Sequence, residues 1–138
     1  MKSTITYLKV ECTGCSFEER IAAEQIAPDQ YRLIENPIQD CDFNFGTTVS
    51  VSVDSHGELS CTSIASPSRY TTRKFIRTSG MNSKELYLNI CQPIAEAGGY
   101  WQNGCAGISF VHLPHATSLC LESLFEQHNY HPLEITGQ

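Results

Sequence analysis

Residues 47–65 read "TTVSVSVDSHGELSCTSIA", and this stretch decides the fold of the first half of the chain. Valine and serine alternate from Val49 to Val53, which is the period-two pattern of a half-buried strand. A second strand-like run follows Ser55-His56-Gly57, a three-residue loop in which glycine can take the left-handed position. The stretch therefore predicts a β-hairpin.

Three more strand-like segments precede this hairpin. "TITYLKVEC" occupies residues 4–12, and "ERIAAEQI" and "QYRLIE" follow at residues 19–26 and 30–35, joined by Pro28-Asp29. Proline presets φ in a turn and aspartate bonds nearby backbone, so this pair predicts a tight connection. Five short strands in succession predict a small antiparallel β barrel or curled sheet, because open sheet edges must be closed or covered.

The second half of the chain has a different pattern. "YTTRKFIRT" predicts a strand, and "NSKELYLNICQPIAEAGG" has helical spacing, with Pro93 predicting a kink or the start of a second short helix. A hairpin around Asn103-Gly104, a helix capped by Thr117 or Ser118 and the strand "HPLEI" complete the order β-α-β-β-α-β. We predict an α+β protein, with a small all-β domain at residues 1–68 and a ferredoxin-like domain at residues 69–138.

Three segments also carry a family resemblance. They are "YRLIENPI", Phe45-Gly46 followed by "TTVSVSVDSHGEL", and "SRYTTRKFI". From Glu18 to its end the chain resembles the bacterial family named domain of unknown function 4265. Thr47 departs from the acidic residue that the family tends to have after the glycine, and "CTGC" lies outside the shared region. The resemblance implies the two-part layout and no active site.

The charge of the chain is unevenly distributed. Residues 1–66 hold ten acids and four bases, giving −6, whereas residues 67–138 hold five of each sign. A negative surface attracts basic partners and repels nucleic acid. No apolar run approaches the roughly 20 residues of a membrane span, and the N-terminus lacks a signal-peptide pattern. We therefore expect a soluble, cytoplasmic protein without membrane contact.

Cys12 and Cys15 form a C-x-x-C pair that suits zinc. A closed site needs four ligands, and a second paired motif is missing. Folding could recruit Cys41 and His56, whereas in the "HLPH" segment at residues 112–115 the proline disfavours the helix that would align both imidazoles. We expect no metal, with Cys12 and Cys15 as reduced thiols at a turn and Cys41 as their most plausible neighbour.

Redox and catalytic chemistry have weaker support. Glu18 and Glu19 would raise the pKa of a nearby thiol, whereas a redox-active C-x-x-C pair needs a lowered one. Seven cysteines cannot all pair within one chain, and three of them are expected to be small buried hydrophobes: Cys61, Cys91 and Cys120. The sequence contains neither a serine-nucleophile elbow nor a phosphate-binding loop. We expect no cofactor and no enzymatic activity.

A basic stripe favours an alternative function, RNA binding. Arg69, Arg73, Phe75 and Arg77 fall on one face of a predicted strand. "GISFVHL" faintly resembles the third-strand signature of the RNA-recognition motif, with Phe110 as a stacking aromatic, and a ferredoxin-like order could place Phe75 on the same face. The net negative charge of the chain disfavours RNA binding. The competing interpretation buries both rings against the first half, with the arginines pairing its acids.

The leading hypothesis is a protein inhibitor. Acidic and aromatic residues alternate in "QDCDFNFG", a pattern suited to a basic cleft. The predicted partner-binding residues are Asp40, Asp42, Phe43, Phe45, Asp54 and Glu58. We predict a non-catalytic protein-binding module, most specifically an immunity-type inhibitor of a basic toxin or nuclease. A further alternative is a small-ligand sensor that uses the turn at Gly98-Gly99.

Overall fold

The computed structural model of the chain describes residues 5–11, 18–37, 43–78, 80–104 and 106–135. It divides into two compact units, Met1–Arg69 and Tyr70–Gln138, one residue beyond the boundary that the sequence predicts. Each unit buries its own hydrophobic core, as a domain does.

The first unit is a closed five-stranded barrel. Its strands are β1 (Ile5–Val10), β2 (Glu19–Ala27), β3 (Gln30–Leu33), β4 (Thr48–Val53) and β5 (Leu59–Ser66). Strands adjacent in sequence pair antiparallel. Because five alternating strands leave the first and the last pointing the same way, β1 and β5 close the barrel in parallel, with Lys9 opposite Ser60. Of the two predicted forms, barrel and curled sheet, the barrel is observed, but the expectation of a wholly antiparallel barrel is wrong because its closing pair is parallel.

Side-chain alternation gives the barrel strands an inner and an outer face. Among the described residues, seven buried side chains belong to the interior: Leu8, Val10, Ile21, Ala23, Tyr31, Leu33 and Val49. On β4, Val49 and Val51 face this core, while Ser50 and Ser52 alternate with them and pair with serines of β5. Each large aliphatic side chain that is fully buried contributes about 1.5–3 kcal/mol to folding. The apolar half of the valine-serine pattern therefore stabilises the barrel.

Asp54 closes the hairpin loop between β4 and β5. Its Oδ1 accepts hydrogen bonds from the backbone N–H groups of His56 at 2.8 Å and Glu58 at 3.0 Å. Gly57 has φ of 81°, the left-handed conformation that costs glycine little. The hairpin with glycine at its left-handed position is confirmed.

The second unit contains a four-stranded sheet and a set of short helices. Its elements are β6 (Tyr70–Ile76), α1 (Ser83–Leu86), a π-helical segment (Tyr87–Cys91), α2 (Gln92–Glu96), β7 (Tyr100–Asn103), β8 (Ile108–Pro114), α3 (Leu121–Gln127) and β9 (Leu133–Ile135). The strand order is β7-β8-β6-β9, and every pair is antiparallel. With the barrel, this makes the chain an α+β protein.

The first helical region follows its sequence signals closely. Asn82 caps α1, since its side chain accepts from the backbone N–H of Glu85 at 2.9 Å while the Glu85 carboxylate accepts from the N–H of Asn82 at 3.1 Å. Pro93 has no N–H to donate, and the helix changes from π-helical to α-helical geometry just before it. The prediction that a second short helix starts near Pro93 agrees with α2.

The helix α3 begins later than the sequence predicts. Its N-cap is Cys120, so the expectation of Thr117 or Ser118 at this position is wrong. The Thr117 hydroxyl instead accepts from the backbone N–H of Leu119 at 3.2 Å, and the Thr117 N–H donates to the Pro114 carbonyl at 3.0 Å. A local turn therefore uses the groups that would have capped a longer helix.

The helices pack against one face of the sheet. Sheet residues Phe75, Trp101, Val111 and Leu113 belong to the same buried cluster as helical residues Ile90, Ile94, Leu121, Leu124 and Phe125. The Phe125 ring meets the Phe75 ring edge-on at 5.4 Å between centroids and the Tyr130 ring at 5.7 Å. Such aromatic pairs add about 0.5–1.5 kcal/mol each to the burial of their surfaces.

Candidate functional site

The predicted acidic loop lies between β3 and β4. Asp40 and Asp42 fall outside the described residues. Phe43 is partly buried and packs against the barrel core. The Phe43 ring therefore contributes to the barrel core, and its part in partner binding remains a prediction.

Three hydrogen bonds fix the end of this loop at Phe45. The Phe45 N–H donates to the side chain of buried Asn36 at 2.9 Å, and the Phe45 carbonyl accepts from the Ser68 hydroxyl at 2.5 Å. The next N–H, of Gly46, donates to the Leu33 carbonyl at 2.8 Å. The barrel thus positions the backbone on which Phe45 is carried.

Asp54 has an internal role that the sequence does not reveal. Its carboxylate accepts a hydrogen bond from the ammonium of Lys9, 45 residues away, whose side chain is only 8% exposed. The Lys9 hydrogen bond is the main reason that the pKa of Asp54 falls from 3.8 to about 2, and the two backbone N–H groups of the hairpin add to it. Asp54 stabilises the barrel, and its part in partner binding remains a prediction.

Glu58 belongs to the same group of charges. The Arg20 guanidinium donates to both Glu58 oxygens, at 2.6 and 3.1 Å, and its Nη1 lies 3.0 Å from Glu18. The Lys9 ammonium also lies 3.7 Å from Glu11. Four carboxylates therefore surround two cations, a formal excess of two negative charges. We call this group of six side chains (Lys9, Glu11, Glu18, Arg20, Asp54 and Glu58) the charge cluster.

Sequence reasoning missed four members of the charge cluster: Lys9, Glu11, Glu18 and Arg20. The available signal is the pairing of β1 with β2, which places Lys9 directly opposite Arg20. Glu11 directly follows this paired stretch and Glu18 directly precedes it. A correct β1–β2 register would have brought these charges together.

The predicted basic stripe does not form a nucleic-acid surface with Phe110. Phe75 lies opposite Ser109, whereas Phe110 lies opposite Lys74, so the two rings are on opposite faces of the sheet. Phe75 is 3% exposed and Phe110 is 1% exposed, which leaves neither ring free to stack on a base. The expectation that both rings share a face is wrong.

Arg73 is held by acids of its own unit. Its guanidinium binds the Glu134 carboxylate through two nitrogens, at 2.8 and 2.9 Å, and also donates to Glu122. These contacts lower the pKa of both carboxyls and raise that of Arg73. The alternative expectation, that this arginine pairs acids of the first half, is also wrong for Arg73.

Arg77 organises the turn between β7 and β8. Its Nη1 donates to the Asn103 side chain at 3.1 Å, the Ile108 carbonyl at 2.9 Å and the Ser109 hydroxyl at 2.8 Å. The same Asn103 oxygen accepts from the Trp101 indole N–H at 2.9 Å. Arg77 thus has a structural role in the described contacts, and Arg69 is the member of the stripe that is exposed.

His112 is fully buried, in the central strand β8. One ring nitrogen lies 2.8 Å from the Thr72 hydroxyl and the other 2.9 Å from the Gln102 side-chain oxygen. Burial lowers the pKa of His112 from 6.5 to about 3, so the imidazole is neutral near pH 7. The ring is stacked between Tyr100 and Phe110, at 6.0 and 6.3 Å between centroids. These contacts account for His112 without a metal.

The glycine pair at the end of α2 has a steric explanation. A Cβ at Gly99 would lie 2.4 Å from the His112 carbonyl oxygen and 2.9 Å from a Leu113 methyl group. Glycine is therefore required for the close approach of this turn to β8. The ligand-sensing interpretation of this turn remains untested.

The described ranges contain no group of three or more His, Cys, Asp or Glu side chains that could hold a metal ion. Cys12, Cys15 and Cys41 lie outside those ranges, so the expectation about their thiols remains a prediction. Cys61 and Cys91 are partly buried, whereas Cys120 is exposed, and its expected burial is wrong. In the part of the chain that the structure describes, no helix is long and apolar enough to cross a membrane.

Comparisons with known proteins establish a likeness in fold. No family model matches the chain, so the resemblance to domain of unknown function 4265 remains a prediction. No curated protein matches either. The chain is similar to a crystal structure of a hypothetical protein from Neisseria gonorrhoeae, with a TM-score of 0.60 and 17% sequence identity. The alignment covers 94% of this chain and 92% of that one, so the similarity concerns nearly the whole fold.

Proposed function

We propose that the chain is a non-catalytic, cytoplasmic protein-binding module of the immunity type, which neutralises a basic toxin or nuclease. One observation carries the proposal: the negative charge belongs to the barrel unit. Residues 1–69 hold ten acids and five bases, a net −5, whereas residues 70–138 hold five acids and four bases, a net −1. The two values sum to the −6 of the chain.

The charge cluster shows where this excess is available on the described surface. The Asp54 carboxylate accepts hydrogen bonds from Lys9 and from the hairpin backbone. By contrast, the side chain of Glu11 is 67% exposed and that of Glu18 is 43% exposed. Exposed carboxylates of this kind accelerate encounter with a basic partner, and the effect weakens as salt is added. Glu11 and Glu18 therefore join the predicted residues as the best candidates for contact with a partner.

We further propose that the second unit is ferredoxin-like. The order β-α-β-β-α-β, a fully antiparallel sheet with the first and third strands at its centre, and helices packed on one face all support this assignment. Such a unit supports many functions, so the fold alone does not select one.

The test is recovery of a protein partner from the native cell by affinity purification and mass spectrometry. Glu11→Lys with Glu18→Lys changes the net charge of the first unit from −5 to −1, since each reversal adds two charges. We expect a basic partner whose association rate falls with added salt and with this double variant. Asp54 should be left intact, because its loss would leave buried Lys9 with only the more distant carboxylate of Glu11.

A matched control reverses two exposed acids of the second unit, Glu96→Lys with Glu126→Lys. We expect this variant to bind as the unmodified protein does. Absence of any protein partner, or a partner whose association is equally affected by both double variants, would contradict the proposal.

A further inference from the structure

The β1–β2 ribbon exposes large apolar side chains around Glu24, which lies directly opposite Ile5 and binds Arg32. Tyr7 is 64% exposed and Ile5 is 57% exposed, both on the outer face of β1. Ala22 lies directly opposite Tyr7 on β2, and Ile26, further along β2, is 47% exposed. We call these four residues the apolar patch.

Apolar side chains are also exposed on the β4–β5 hairpin, where Val53 is 65% exposed and Ile64 is 45% exposed. Single exposed apolar side chains are ordinary, but a group of large ones on two paired strands is characteristic of an interaction surface. The β1–β2 ribbon is the stronger candidate because it exposes three large apolar side chains, against two on the β4–β5 hairpin.

Beyond the apolar patch, the same ribbon carries four of the six members of the charge cluster: Lys9, Glu11, Glu18 and Arg20. Along its outer face, the row of Tyr7 and Ala22 is followed by the row of Lys9 and Arg20. Glu11 is four residues beyond Tyr7, about 13 Å along an extended strand. Apolar anchors therefore lie next to an excess of carboxylates, which resembles the apolar centre and polar rim of protein interfaces.

We propose that the apolar patch is the docking surface for the basic partner, with Tyr7 and Ile5 as its anchors. The inference rests on the proposed function and deepens it, since it assigns the partner a place on the chain. The occupant is a basic protein surface whose exposed aliphatic or aromatic side chains cover Tyr7 and whose cations face Glu11 and Glu18. Charge complementarity selects this occupant over an acidic one.

A synthetic peptide can test the surface without the native partner. The probe has nine residues, beginning with Leu-Trp-Leu and ending with Lys-Arg-Lys, so that its two ends match the patch and the carboxylates. A second peptide replaces the three cations by glutamate. Binding to the full chain is followed by amide chemical shifts in two-dimensional NMR. We expect the basic peptide to shift β1 and β2 resonances, and the acidic one to leave them unchanged.

Two tyrosines provide a matched pair of variants. Tyr7→Ser should weaken binding of the basic peptide about tenfold, whereas Tyr87→Ser, which alters a tyrosine that is 61% exposed in the second unit, should have no effect. Ile5→Ser gives an independent variant if Tyr7→Ser unfolds the barrel.

The outcomes separate this inference from the proposed function. Shifts that map outside β1 and β2, equal binding by the Tyr7 variant, or no binding by the basic peptide would overturn the assignment of the patch. A native partner could instead bind the Tyr7→Ser and Ile5→Ser variants normally but lose affinity when Glu11 and Glu18 are reversed. That result would support the proposed function and contradict the assignment of the apolar patch.

Discussion

Acidification should lower the free energy of unfolding of the second unit, because His112 is protonated more readily in the unfolded chain. This imidazole is fully buried, and its pKa is lowered to about 3 from the ordinary value of 6.5. The unfolded chain therefore binds a proton on His112 at a pH where the folded chain does not. The resulting contribution to stability is complete above pH 6.5 and is lost as the pH falls from there toward 3.

The magnitude follows from the linkage between protonation and folding. Each pH unit below 6.5 costs about 1.4 kcal/mol, so at pH 5 the free energy of unfolding should be about 2 kcal/mol lower than at neutral pH. The carboxyls with lowered pKa values, Asp54, Glu122 and Glu134, lose their contributions only below their ordinary values of 3.8 and 4.5. The range between pH 5 and pH 6.5 therefore isolates the histidine effect.

Urea unfolding at pH 7 and pH 5 measures this loss. Trp101, the only tryptophan of the chain, is buried in β7 of the same unit, and its fluorescence reports unfolding there. We expect His112→Gln to remove about 2 kcal/mol of pH dependence, whatever its effect on stability at pH 7. His115→Gln, which alters an exposed histidine, is the matched control variant. Equal pH profiles for the unmodified protein and His112→Gln would refute the reasoning.

Three other predictions concern stability and can be measured by urea denaturation. Leu33→Ala, at a fully buried barrel position, should cost about 2–5 kcal/mol, whereas Leu133→Ala, at a position 63% exposed, should change stability by less than about 0.5 kcal/mol. Gly99→Ala should destabilise the second unit more than Gly57→Ala destabilises the first, because only Gly99 has a backbone oxygen in the way of a Cβ. Asn82→Ala should cost about 1 kcal/mol through loss of the capping box, and no change in midpoint would contradict that role.

Local patterns predicted the elements well. The alternation around Val49 and Val51 and the turn at Gly57 predicted a hairpin that is present, because these signals lie within a few residues. The stretch beginning at Asn82 was likewise predicted to be helical from its spacing, and Asn82 is the N-cap of the first helix. By contrast, no local pattern identified the residue at which α3 begins. A threonine hydroxyl can accept a backbone hydrogen bond in a turn as well as at a helix N-cap, and that of Thr117 does so in a turn.

Contacts between residues far apart in the chain could not be predicted from the sequence. The bond between Lys9 and Asp54 joins residues 45 apart, and alternation cannot show which acid a lysine will meet. The register of β6 against β8 was also undetermined, and a shift of one residue decides whether Phe75 and Phe110 share a face. The strand registers of the folded chain determine both the charge cluster and the placement of Phe75 and Phe110 on opposite faces.

The parallel closure of the barrel has a consequence for how it folds. The hairpin pair Val53 and Leu59 is six residues apart (59 − 53), whereas closure joins Lys9 to Ser60 across 51 residues (60 − 9). Loop entropy makes the longer connection about 2 kcal/mol more costly. The antiparallel pairs should therefore form first and the closure last, so substitutions at Lys9 should chiefly speed unfolding, while those in the β4–β5 hairpin slow folding.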